Sequence, residues 1–355
     1  MLILSEDNLA AERLRHAGQA IYNDASGRIE GNQPFQVAYL SKETQLQRLS
    51  AIPTPAPFVD ESNRGLGKCI IFEGHKAATW HEHEIETALQ TMAYRETTAV
   101  GGVLGDSVSI EPAVGVQWTR QAGRNLLLVG TEDRNAASCL GAILATSLWS
   151  SRHRLNQAAR VYVLDGTRPD DTHTSFLPTW VRSLQGDHVV TDVRGCESMM
   201  AQLHDEWSRR METSDEVHPP LYLVLLQLGR FRELRKSEEF SFGDDSGTTK
   251  ADQVLQNILR DGPSVGMHSL IWVDNWNTLS RWVPRQSMHD LEMRVLMQMS
   301  ANDSNHLIDS AAANRLDQNV LLMHDEATGQ SRKFRPYRLA DPVHLSKWVQ
   351  GTTEA

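Results

Sequence analysis

The chain has 355 residues, 40% hydrophobic and 23% charged, a globular composition with enough length for one large domain or two ordinary ones. A net charge of −10 speaks against a surface that grips nucleic acid all round, though it leaves room for a basic stripe lining a ring or groove. No stretch approaches the roughly 18 consecutive apolar residues of a membrane span, and the start M-L-I-L-S-E-D-N lacks the basic region of a signal peptide, so the expected setting is cytoplasmic, without direct membrane insertion.

Residues 5–17 read as a short helix, acidic early and basic late. Residues 18–40 read as a hairpin with turns at Asn23–Gly27 and Gly31–Pro34 and a strand from Phe35 to Tyr39, with one more short helix over 41–50. Alternate prolines make 51–63 an extended linker, so residues 1–60 form a tail of a preceding module or a packing arm, too short for a good core of its own. The main domain is expected over 64–345, with a tail at 346–355. C-I-I-F-E near Lys68 opens it as a strand, and 98–118 read as short antiparallel strands.

From there strands and helices alternate, as in a mainly parallel sheet covered by helices. Strands are expected at 125–130, 160–165, 188–191, 221–226, 268–274, 294–299 and 319–324, and helices at 135–151, 195–212 and 251–261. The polar, acidic stretch 237–250 reads as a loop. Cys69, Cys139 and Cys196 are too scattered for a zinc site and fit reduced, buried thiols.

A strand, a glycine and a helix at 125–151 supply the setting of a phosphate loop, G-x-x-x-x-G-K-[ST]. Here the loop reads Gly130, Thr131, Glu132, Asp133, Arg134, Asn135, Ala136, Ala137, Ser138. Asn135 stands at the second glycine, Ala136 at the phosphate-neutralising lysine and Ala137 at the Mg²⁺-holding hydroxyl; Ser138 is one position late. Glu132 and Asp133 add negative charge where phosphates sit. The second half of such a site is a carboxylate ending another strand, but 221–226 runs into Gln227 and Leu228. Glu233 lies six residues on. The plain alternative is a strand–turn–helix that never held a nucleotide.

The order of segments resembles the FtsK/SpoIIIE/HerA-type ATPases, and among them the tandem, partly degenerate modules of EccC/EssC-like proteins. Q-W-T-R-Q-A-G-R-N-L-L-L-V-G (117–130) resembles the lead into the Walker A loop, and V-Y-V-L-D-G (161–166) the next core strand. L-Y-L-V-L-L-Q-L-G-R-F-R-E-L-R (221–235) resembles the Walker B strand with Gln227 and Leu228 replacing its acids. I-L-R-D-G-P-S-V-G-M-H-S-L-I-W-V-D-N (258–275) resembles the G-x-x-x-G-I-H strand, with Val273 and Asp274 where the family has Thr-Gln. Asn302-Asp303-Ser304 and G-Q-S-R-K-F-R-P-Y (329–337) resemble later segments, and the first block resembles the exit strands of a preceding module.

The resemblance implies a RecA-like P-loop α/β core with a small N-terminal β/α segment. It implies a degenerate, non-hydrolysing module that regulates or scaffolds a larger translocase. ATP and Mg²⁺ are the family's cofactors and none is expected in this copy. Its partners would be active ATPase modules upstream in the same chain, a homo-oligomeric ring, and DNA or a secreted protein as cargo.

Two competing readings stand beside this one. In the first, the chain is an active ATPase and DNA translocase with Glu233 or Asp274 as base; in the second, it is a peptide-recognition module using the old nucleotide pocket. Arg230, Arg232 and Arg235, with Lys236, are candidate phosphate or inter-subunit contacts or a solvated face, and Arg281 and Arg285 candidate arginine fingers. His75, His81 and His83 among Glu73, Glu82 and Glu84 lack a metal-site spacing and read better as a solvated helix start; Trp272, Trp276 and Trp282 read better as anchors than as base-stacking platforms, and Asp165, Asp170 and Asp171 as a polar loop rather than a metal site.

Overall fold

Apolar strands without polar breaks need cover on both faces, and the chain supplies it with helices. The computed structural model describes residues 4–5, 7–25, 27–51, 77–109, 111–168, 175–236, 250–339 and 341–351. Contacts divide the chain into Met1–Ile71 and Phe72–Ala355. The expected strand C-I-I-F-E, nearly all of the linker 51–63 and the loop 237–249 lie outside the described residues.

The first unit pairs β1 (Gln19–Asn23) with β2 (Asn32–Gln36) in antiparallel register and carries α1 (Lys42–Ser50). Two expectations are corrected here. Residues 5–17 make only a 3-10 turn over Leu9–Arg13, because the Asn8 side chain caps Ala10 N and bonds Gly27 and Asn32 instead of letting a helix run on. The second strand also starts earlier than Phe35. Pro34 pairs with Ile21 in a two-stranded ladder, where a missing N–H can face outward.

The second unit runs β3 (Ala78–Thr79), α2 (Glu82–Thr91), β4 (Val100–Ser107), β5 (Val114–Trp118), β6 (Leu126–Val129), α3 (Asp133–Leu155) and β7 (Arg160–Asp165). It continues with α4 (Phe176–Ser183), β8 (Val189–Asp192), α5 (Cys196–Glu212), β9 (Leu221–Leu226), α6 (Ala251–Asp261), β10 (Met267–Val273) and α7 (Trp276–Trp282). It closes with β11 (Met293–Leu296), α8 (Ala301–Ile308), β12 (Leu321–Asp325), β13 (Gln330–Arg338) and α9 (Pro342–Gln350). The sheet order is β5-β4-β13-β12-β11-β6-β10-β9-β7-β8, with β3 beside β13. From β11 to β8 all neighbours are parallel; from β11 to β5 all are antiparallel.

Successive strand residues serve opposite faces. Leu126 and Leu128 of β6 join the core under α2, α3, α4 and α9, while Leu127 and Val129 join the core under α5 to α8. Helix α3 is buried nearly all round because it lies between the sheet and other helices. Its hydroxyls bond the sheet: Thr146 Oγ1 accepts from Val103 N at 2.9 Å, Ser150 Oγ from Gly101 N at 3.2 Å, and Ser147 Oγ from Trp118 Nε1 at 2.7 Å. The close approach needs Gly102, whose Cβ would sit 2.5 Å from Ser147 Oγ.

Residues 346–350, expected as part of a tail, continue α9. Trp348 is buried, stacks on Trp149 at 5.7 Å, meets Trp80 edge-on at 5.3 Å and donates to Glu86 Oε1 at 2.7 Å. Helix α4 was not anticipated; Leu177, Trp180 and Val181 bury it despite Pro178 in its first turn.

Two adjacent residues ahead of β6 join the halves of the sheet. Arg124 bonds Asp325 at the end of β12 (3.2 Å), Glu292 (3.4 Å) and the Gln117 carbonyl on β5 (3.4 Å). In a flat sheet β5 and β12 stand three strand spacings, about 14 Å, apart, so one guanidinium can reach both only because the antiparallel half is curled. Asn125, fully buried, donates to the carbonyls of Leu259 and Asp290 at 2.8 Å each and accepts from Ser269 N at 2.8 Å.

Asn125→Ala removes three buried hydrogen bonds and is expected to cost about 2–4 kcal/mol, read from urea unfolding. Trp348→Ala should cost about 3–5 kcal/mol, against almost nothing if residues 346–355 were a tail. His268, buried beside Trp118 and Tyr222 with Nδ1 on the Arg124 carbonyl, is pushed down to about 4 by burial, with the Arg120, Arg124 and Arg210 charges adding to the effect. A depressed histidine stabilises the fold fully above its unfolded value near 6.5 and loses that contribution as pH falls toward 4. Lowering pH from 7 to 4.5 should therefore remove roughly 2–3 kcal/mol, with the His268 ring still neutral by NMR at pH 5.

Candidate functional site

In open α/β sheets ligands bind beyond the carboxyl ends of parallel strands, and here those ends are Gly130 after β6, Asp165 on β7, Gln227 after β9 and Asp274 after β10. Val273 pairs with Val129, so Asp274 lies level with Gly130. Strand β10 separates β6 from β9.

Gly130 is spent on the protein itself. Its N–H donates to Val273 O at 3.0 Å and its carbonyl accepts from Trp272 Nε1 at 2.9 Å. Its φ of +152° and the Met297 side chain, 2.4 Å from any added Cβ, require glycine. Only Gly130, Thr131 and Glu132 separate β6 from α3.

Helix α3 begins at Asp133, two residues ahead of the expected 135, so Asp133, Arg134, Asn135, Ala136, Ala137 and Ser138 all lie in its first turns, and Ala136 N already bonds Glu132 O at 3.0 Å. A phosphate loop counted from Gly130 stays out of helix until about residue 135, so that successive N–H groups curl round the anion. With asparagine in place of the second glycine and two alanines behind it, the helix winds back toward the strand. Glu132 takes the Asn135 amide, and Glu132 with Asp133 sets carboxylates at the positive helix end.

Gln227 ends β9 in a left-handed conformation (φ +60°), half-buried, and Leu228 turns into the core. A neutral amide there offers Mg²⁺ no charge. Glu233 is exposed on the second of two 3-10 turns and its charge acts on Cys196 at the start of α5, whose thiol is pushed up to about 12 by burial, then by Glu233 and Glu197. Asp274 is half-buried; its neighbour Asn275 caps α7.

The basic residues do gather. Lys236 Nζ donates to Ser280 O at 2.8 Å, Trp282 Nε1 to Phe231 O at 2.7 Å, and the Arg235 guanidinium lies 5.9 Å from the Trp282 ring. The segment 228–236 is thereby docked on α7, with Arg230, Arg232, Arg235 and Lys236 exposed beside Arg281. Arg285 is exposed just beyond α7. None of these cations has a carboxylate within 4 Å among the described residues.

The other sequence candidates resolve into structural roles. His81 precedes α2, Glu82 pairs with His344 at 2.9 Å, and Asp165 accepts from Thr167 N and Oγ1 in a local turn. His75, Glu73, Asp170 and Asp171 lie outside the described residues. Among the described residues no three His, Cys, Asp or Glu side chains are placed to hold a metal. Trp276 stacks on His306 at 5.0 Å. Sequence reasoning missed the Trp272–Gly130 bond; a tryptophan one residue before the end of a strand neighbouring the loop was its only trace.

No family model and no curated protein matches the chain. Among solved structures, the conjugation coupling protein TcpA of pCW3, in monomer form with ATPγS, superposes with TM-score 0.54 and 15% identity over 78% of this chain and 74% of that one. The cytoplasmic domain of the type VII secretion ATPase EccC of Thermomonospora curvata gives TM-score 0.51 and 13% identity over 75% of this chain. The chain spans 32% of that EccC length. No helix among the described residues is long and apolar enough to cross a membrane, and the chain has the fold of the FtsK/SpoIIIE-type P-loop ATPase modules.

Proposed function

We propose that the chain is a non-hydrolysing module of an FtsK/SpoIIIE-type translocase, regulating or scaffolding active ATPase modules of the same chain within a machine that moves DNA or a secreted protein. The observation that carries this reading is the three-residue connection between β6 and α3, with the Gly130 N–H and carbonyl both bonded to β10 and no lysine at Ala136. The uncharged Gln227 at the end of β9 supports it independently. Loss of phosphate cradle, cation and metal ligand together leaves the site no means of stabilising a leaving phosphate. The cation cluster on 228–236 and α7 is the surface offered to a polyanion or to an acidic neighbouring subunit, in a chain whose net charge is otherwise negative.

Calorimetric titration of Mg·ATP is expected to show no binding, and about 1 mM Mg·ATP should leave thermal stability unchanged. A site of about 10 μM affinity would add about 2.7 kcal/mol under those conditions, and finding it would restore the reading of an active ATPase. Replacing Arg232 and Arg235 by Glu should weaken duplex DNA binding at low salt and lower the salt slope by about 2 if both meet phosphates. An unchanged slope, with lost self-association in sedimentation, would assign the cluster to subunit contact instead.

A further inference from the structure

Of the thirteen large apolar side chains exposed among the described residues, ten lie in the unit Met1–Ile71, all within residues 9–49. No apolar side chain among the described residues 4–51 is buried, so this unit has no core of its own. A two-stranded sheet in that condition is marginal in water until its apolar face is packed against another surface.

The exposed side chains fall on two faces. The register sets Ala20 opposite Phe35 and Tyr22 opposite Gln33, so Tyr22 and Phe35 stand on the same face of the hairpin. Val37 N donates to Gly18 O at 2.7 Å, which carries the pairing one step further, and alternation keeps Val37 on the face of Phe35. Tyr39, two residues on and 91% exposed, ends the stripe. Ser41 then caps α1, where Leu46 and Leu49 stand three residues apart on one side of the helix. Hairpin and helix leave each other uncovered, with Phe35 50% and Leu46 58% exposed.

We propose that this unit is a two-fold interface between two copies of the chain, in which the Tyr22, Phe35, Val37 and Tyr39 face of each hairpin is covered by Leu46 and Leu49 of the other copy's α1. Area is the first argument for a second copy. At roughly 200 Å² for a large side chain, these six residues expose on the order of 700 Å², near the roughly 800 Å² that each side of a standard interface buries. The two faces sit on one chain and are exchanged reciprocally, as a two-fold contact requires. Charge is the second argument. Residues 1–51 carry six carboxylates against five Lys and Arg, nearly neutral in a chain of net charge −10, so two copies meet here without the repulsion that the rest of the surface imposes.

Sedimentation velocity of the full chain over a range of concentrations is the test. A monomer–dimer equilibrium with Kd of about 10 μM is expected. Tyr39→Asp and, separately, Leu46→Glu should each weaken it at least about tenfold by setting a carboxylate in the apolar contact. Both side chains stand in solvent in the single chain, so the far-UV circular dichroism should be unchanged. Val343→Asp, at a side chain 65% exposed on α9, should leave the equilibrium where it is. A chain that stays monomeric to about 200 μM, or growth past the dimer without limit, would overturn the proposal. So would weakening by Tyr39→Asp but not by Leu46→Glu, or equal weakening by Val343→Asp. Association lost on replacing Arg232 and Arg235, with Tyr39→Asp and Leu46→Glu silent, would place the contact on the cation cluster and overturn it as well. None of these readouts depends on nucleotide or DNA, so the result is separate from the function proposed above.

Discussion

Two neighbouring residues, Arg124 and Asn125, hold the architecture together. They stand where the chain is about to become β6, the strand on which the parallel and antiparallel halves meet through β11. Arg124 turns one way and gathers β5 and β12, which a flat sheet would keep apart. Asn125 turns the other way and fastens the end of α6, the approach to β11 and the middle of β10. A charged group and an amide are expensive to bury, and here each is matched to its partners over most of its hydrogen-bonding atoms. Because those partners are far apart in sequence, the contacts cannot form until both halves are in place, which favours a single native arrangement over looser ones.

Further along the same strand, the nucleotide-site question becomes one of backbone economy. A phosphate loop works by leaving N–H groups unsatisfied until an anion arrives. In this chain two of the corresponding groups are already used, Gly130 by β10 and Ala136 by the helix, and Glu132 and Asp133 set negative charge at the helix start. The backbone beyond β6 is therefore bonded within the protein, and the side chain at 136 is an alanine.

Most of the parallel core was legible because buried strands of β-branched and leucine residues announce themselves, and residues 221–226 and 251–261 fall where their pattern places them. The start of α3 was legible to within two residues, because a motif counted from Gly130 kept Asp133 and Arg134 in the loop while the helix takes them up. Helix α4 was hidden by Pro178, and α9 by its place near the end of the chain, although the spacing of Leu345, Trp348 and Val349 is that of a buried helical face. The cation cluster could be suspected from composition, but that Trp282 and Lys236 fasten 228–236 onto α7 could not, because the contact spans about fifty residues. The curl of the antiparallel half is likewise a property of pairings between distant strands.

The hydroxyl ladder on α3 has a mechanical meaning. Thr146, Ser147 and Ser150 pin the helix to β4 and to Trp118 within little more than one turn, over a glycine that lets helix and strand approach closely. A helix fixed in this way has no freedom to slide along its axis or roll on the sheet without breaking buried bonds. Such an element behaves as a strut fixed to the sheet, so that helix and sheet move as one body.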